Sequence, residues 1–365
     1  MIITNIQELR LASPAHALDS MDGLLGFIDN SEHDFLEDKL GTPLYNALCQ
    51  WYDENPMTRS TISDYQTGYW NRLLLIAQRV VAFDALGRAI GMQAISVNNS
   101  GINQMIADDY PAPDKNGKTI DLYIQTCNKE AHAALNQMLR LLEQWCKEPD
   151  GEAPATATVL SDSVAEKEEI VTLWKESRYY YLAAQLLIPS CETLQAYLNI
   201  YDSREKFIQL LPDLKFIQEE QIATSVGEDL MKAIVDYQTD GKLPEDAPTG
   251  LAALFSTVLH RLRKVVVALL AGRSLVLKYT KEQKVQFHDD GVRMFETAIN
   301  YLRAHQQDFP EDMVKNAPWY VAPASASVGT AGEAAATAPA TVPPCAGGFV
   351  KEHSSGAALW TPPLL

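Results

Sequence analysis

The chain has 365 residues, 47% of them hydrophobic, and its 47 acidic residues against 30 Lys and Arg give a formal net charge of -17. That length holds two domains of ordinary size, each with a real core. So negative a balance works against non-specific nucleic-acid binding, which needs cations to displace phosphate counterions, and against adhesion to an anionic membrane surface.

In chain order, apolar spacing predicts helices over 20–27, 31–40, 42–52, 62–95 (allowing a break) and 120–147, all within a first unit at 1–149. The last carries Leu135, Met138, Leu139, Leu142 and Trp145 on one stripe. Between Ser96 and Lys118 lies an excursion of turn chemistry, including Asn98-Asn99-Ser100-Gly101. Residues 150–163 read as a Pro, Ala and Thr linker. A second unit is expected over 164–312, with Pro189 and Pro212 at helix ends, a long helix over 249–279 and a last helix over 289–306. From 313 to 365 the chain is dominated by Ala, Pro, Thr, Ser and Gly, a composition that cannot fold alone. Its end regains an apolar tip at Phe349, Val350, Leu359 and Trp360, and we expect this tail to be an extended docking arm.

The two units are copies. Residues 79–90 align with 264–275 at an offset of 185, and residues 41–51 align with 227–237 at an offset of 186. Both pairs set a glycine at a helix start or within a helix: Gly41 with Gly227, and Gly87 with Gly272. A mid-helix glycine costs about 1 kcal/mol relative to alanine, so its recurrence points to close helix approach or a kink. The expected architecture is all-α: two tandem, internally duplicated helical domains followed by an extended low-complexity C-terminal arm.

The sequence contains no glycine-rich phosphate loop, HExxH, GxSxG or EF-hand pattern. The five cysteines, Cys49, Cys127, Cys146, Cys191 and Cys345, form no CxxC pair and read as reduced thiols in helix cores. His33 and Glu37 share a helical face, but an acidic helix start accounts for them, and His288-Asp289-Asp290 reads as a helix-start cap. No catalytic, cofactor or metal residues are therefore expected. One stretch runs against the overall charge. Arg261, Arg263, Lys264, Arg273, Lys278, Lys281 and Lys284 face a single acid, Glu282. Together with the tail tip, Arg261, Arg263, Lys264, Arg273 and Lys278 are the candidate interaction residues. An acidic neighbour, another copy of this chain, is the expected partner. The N-terminus lacks the pattern of a signal peptide and the longest apolar run, 265–271, is far short of a membrane span, so assembly in a cytoplasm without membrane contact is expected.

The stretch Phe27-Ile28 through Leu40-Gly41-Thr42-Pro43-Leu44-Tyr45 resembles an uncharacterised family of Bacteroides-type phages and prophages. The same order of a helix ending in Leu-Gly, a Leu-Tyr helix and a long Ala-rich helix occurs in the head–tail connector proteins of tailed phages. The resemblance covers roughly 20–95 and, more weakly, 213–300. It implies a virion protein in a homo-oligomeric ring, with portal and tail proteins as partners, DNA at most in non-specific passage, and no catalytic residue. The duplication and the tail depart from simple connectors. Two other functions are compatible with the residues: a cytoplasmic helical scaffold or regulatory module, and a helical enzyme drawing on Glu32, His33 and His260.

Overall fold

The computed structural model describes residues 1–13, 20–55, 61, 65, 68–93, 95–98, 101–104, 118–147, 162–177, 180–182, 185–243 and 247–322. The chain divides into two units, one formed by Met1–Ala184 with Ser203–Ile208, the other by Gln185–Asp202 with the chain from Gln209 on.

The first unit opens with α1 (Ile6–Ala12), capped by the Asn5 side chain, which accepts from the Glu8 N–H. Helix α2 (Leu25–Ser31) widens into a π-helical turn at Glu32–Glu37, tightens into α3 (Asp38–Leu40), and stops at Gly41. Helix α4 (Thr42–Glu54) starts there with Pro43 in its first turn, where a missing N–H costs nothing. The long pair α5 (Tyr69–Gln93) and α6 (Lys118–Lys147) runs antiparallel: Tyr69 meets Trp145 at one end and Gly87 meets Cys127 near the other. The excursion between them contains the two strands among the described residues. In this hairpin, β1 (Ile95–Asn98) pairs antiparallel with β2 (Gly101–Gln104). Helix α7 (Asp162–Lys175) closes the unit against α4, α5 and α6.

The second unit repeats this order. Helix α8 (Cys191–Gln195) is capped by Ser190, which accepts from the Thr193 N–H. Helix α9 (Arg204–Phe216) leads into a second π-helical turn, Ile217–Ala223, then α10 (Thr224–Val226) and Gly227. Helix α11 (Glu228–Asp240), α12 (Leu251–Arg273) and α13 (Lys281–Ala304) follow, and α14 (Glu311–Val314) packs on α11 as α7 packs on α4. The two units thus share one order of helices, down to the wide turn before each glycine.

Both glycines are required by geometry. Gly41 has φ +84° and a Cβ there would collide with Ser177; Gly227 has φ +99° and its Cβ would lie 2.9 Å from that of Ala317. The mid-helix glycines serve close approach. A Cβ on Gly87 would sit 3.3 Å from the Cys127 Cβ, and one on Gly272 would sit 3.0 Å from the Lys284 carbonyl oxygen.

Four expectations need correction. Each unit reaches further along the chain than composition suggests: 164–184 pack with the first unit, burying Trp174 completely, and Phe309, Val314, Ala317 and Trp319 are buried in the second. The docking arm therefore cannot begin at 313. Pro212 lies inside α9 and does not end it. The helix persists because Phe207, Leu210 and Leu214 along it are fully buried, which outweighs the lost N–H and ring clash. The long helix of the second unit ends at Arg273, and α13 begins at Lys281, two turns before the expected start. Its cap is Thr280 with Gln283 in a reciprocal capping box, so His288-Asp289 sits mid-helix and caps nothing.

Candidate interaction surface

The buried polar groups of each unit hold an extended piece of the same unit. In the first, the Ile2 N–H donates to Glu32 Oε1 at 2.8 Å, and the Ile2 carbonyl accepts from Gln78 Nε2 at 2.6 Å. In the second, the Leu187 N–H donates to Gln218 Oε1 at 2.6 Å, and the Leu187 carbonyl accepts from Arg263 Nε at 2.8 Å. Ile2 and Leu187, and Gln78 and Arg263, are 185 residues apart; Glu32 and Gln218 are 186 apart. Different side chains thus perform one task at equivalent stations: they satisfy a buried peptide group that no helix or sheet serves. Glu32 also accepts from the Tyr45 hydroxyl at 2.8 Å, and burial pushes that phenol's pKa up. Its Oε2 lies 3.7 Å from the Met1 ammonium.

Arg263 is consequently an internal strut of its own unit. Its Nη2 also donates to Gln238 Oε1 at 2.9 Å, and Gln238 in turn donates to the Leu186 carbonyl. Two more of the expected contact arginines have intrachain partners. Arg261 lies over the Tyr301 ring at 4.4 Å, and Arg273 pairs with Asp213 at 3.1 Å while stacking on Phe216 at 3.9 Å. Lys264 and Lys278 are exposed and make no ion pair with a described residue. Phe349, Val350, Leu359 and Trp360 lie outside the described residues. Replacing Arg263 with Ala is expected to destabilise the second unit by about 1–3 kcal/mol, because the Leu187 carbonyl is left buried and unmet. Lys264→Ala is expected to stay within about 0.5 kcal/mol of the parent. Urea unfolding of the two variants checks the contrast.

Lys278 stands in the loop between α12 and α13, which also exposes apolar side chains. Leu275 is 88% exposed, and Val285 one turn into α13 is 47% exposed. Around them stand Lys278 and Lys281, both exposed, and Lys284, half-buried. The Tyr279 and Phe287 rings meet at 4.9 Å and stiffen the loop's return. The corresponding end of the first unit is also apolar, with Leu122 and Tyr123 exposed on α6. Sequence reasoning found the cations but missed Leu275, which reads there as part of a long helix.

The expected acidic helix start at 32–38 needs correction: α2 runs on through the π turn, so these acids start no helix, and Glu32 is fully buried. His33 Nδ1 and Glu37 Oε2 are 2.7 Å apart, and Thr42 donates to Glu37. The hydrogen bond to Glu37 holds the His33 pKa above its ordinary value, and the same bond holds the Glu37 carboxyl below its own. His33 is half exposed and lies 5.6 Å from the Tyr45 ring. His260, in the other unit, bonds the Tyr197 hydroxyl. An open groove of about 520 Å³ in the first unit is lined by Arg10, Arg79, Phe83, Glu130 and Gln137. Among the described residues no group of three His, Cys, Asp or Glu is placed to hold a metal ion, and no helix is long and apolar enough to cross a membrane.

Residues 36–148 match a family described as a family of unknown function, DUF6712. The matched span takes in the π turn from Leu36, Gly41, α4, α5, the hairpin and α6, which is most of the first helical copy. No curated protein and no solved structure matches the chain.

Proposed function

We propose that this chain is a non-catalytic structural protein of a phage particle, a head–tail connector or adaptor that forms a homo-oligomeric ring between portal and tail. The observation that carries this reading is how the duplicated units use their polar groups. Glu32, Gln78, Gln218 and Arg263 are committed to holding their own chain, while the loop after α12 sets free cations around an exposed leucine. Such a molecule is built to be held by neighbours.

The resemblance of residues 20–95 to connector proteins supports the same reading. So does the charge of -17, since a negative conduit lets a duplex slide where a basic one would retain it. Particles purified from a host carrying the gene provide the test. Mass spectrometry of their proteins is expected to find this chain at a fixed ratio to the portal protein. Intact particles that lack it would overturn the assignment.

A further inference from the structure

The loop joining α12 to α13 has the makings of a docking face. Leu275 is 88% exposed near its start, and Lys278, Lys281 and Lys284 follow within nine residues, with no ion pair to any described residue. The only acid among them is Glu282. A leucine this open gains nothing from a phosphate backbone but does gain from an apolar contact on another protein. Its cationic rim selects an acidic surround on that contact.

The chain itself offers such a surface. On α2 of the first unit, Leu25 is 39% exposed, and Asp29, one helical turn on, is 59% exposed. Asp22, three residues before Leu25, is exposed in the turn that leads into the helix. An exposed leucine between two acids thus matches an exposed leucine beside three lysines. We propose that the loop of one copy docks, through Leu275, Lys278 and Lys281, on Leu25, Asp22 and Asp29 of a second copy. The occupant is this chain because its complementary surface is on the same molecule, and because a chain this acidic repels its copies except where such cations stand. The two faces lie on different units, so the contact is head-to-tail, and a head-to-tail contact generates a ring where its rotation closes. The proposal rests on the assembly reading above and names its interface.

The test uses the full chain in 0.1 M salt, where exposed charges act over about 10 Å, and reads the oligomeric state by sedimentation. Two variants reverse one face each: Lys278→Glu with Lys281→Glu, and Asp22→Lys with Asp29→Lys. Each alone is expected to self-associate at least about tenfold more weakly than the parent, because like charges now meet. Mixed in equal amounts they are expected to assemble again, since every junction in an alternating assembly is complementary. Leu275→Ser, a change on an open side chain, is expected to weaken association without altering the helical circular dichroism. A parent that assembles while both reversals assemble equally well would overturn this interface and leave the assembly reading standing. A parent that stays monomeric would overturn both. Loss of binding to a labelled DNA duplex in the lysine variant, with assembly unchanged, would give the loop to nucleic acid instead.

Discussion

Arg204→Ala is expected to destabilise the first unit by about 3–5 kcal/mol, the usual cost of leaving a buried charge without its partner. The Arg204 side chain is fully buried, with Nε at 3.2 Å and Nη2 at 3.0 Å from Glu143 Oε2. The other Glu143 oxygen accepts from the Tyr181 hydroxyl, and the Arg204 N–H is bound by Asn136 Oδ1 at 2.8 Å. Removing the guanidinium therefore strands a carboxylate in an aromatic surround that includes Phe207 against Tyr181. Replacing both charges at once, as Glu143→Leu with Arg204→Met, is expected to recover most of the loss, because a desolvated pair returns little net energy over an apolar one. Urea midpoints of the two single variants and the double variant decide this. A single variant within about 1 kcal/mol of the parent would show that the pair is hydrated or loosely held.

The second large effect lies at the edge of the tail. Ending the chain after Pro318 is expected to cost the second unit about 3–5 kcal/mol, the range for losing a buried Trp. Trp319 is 2% exposed, donates its indole N–H to the Val226 carbonyl at 2.8 Å, and lies against Phe309, which stacks on Phe255. The bond falls on the carbonyl just before Gly227, so the indole also secures the turn on which the second copy depends. Ending the chain after Ala322 removes none of these contacts, and thermal unfolding of the two truncations should separate sharply. Equal melting temperatures would place Trp319 outside the cooperative unit.

Much of this architecture is visible in the chain. The stripe from Leu135 to Trp145 identifies α6, and the aligned glycines identify the duplication, because an amphipathic helix and a left-handed stop each leave a local pattern. The capping box at Thr280 and Gln283 was equally local; its Thr-x-x-Gln signature fixes the start of α13 two turns before the acids at 289 and 290. Other features are set by tertiary contact. Pro212 remains helical because its neighbours are buried, a fact that propensity does not contain. Residues 313–319 read as the start of the tail, yet Val314, Ala317 and Trp319 are buried in the second unit.

The candidate surface divides in the same way. A run of cations is legible by counting, but which of them are free depends on the fold. Arg263 stands where the other copy has Gln78, and only their shared role of bonding a buried carbonyl reveals the equivalence. Arg261 and Arg273 lie against aromatic rings from elsewhere in the sequence. Leu275 is the reverse case. It aligns with Ile90, a residue of the long helix in the first copy, and becomes exposed because α12 stops at Arg273 where α5 continues to Gln93.

The claim that this chain functions as an assembly component is tested most directly by native mass spectrometry of the purified full-length protein. The account predicts a discrete closed species at one integer multiple of the 40.4 kDa chain, with dissociation promoted by raised salt. A protein that remains at 40.4 kDa across the micromolar range, with both units folded, would contradict it.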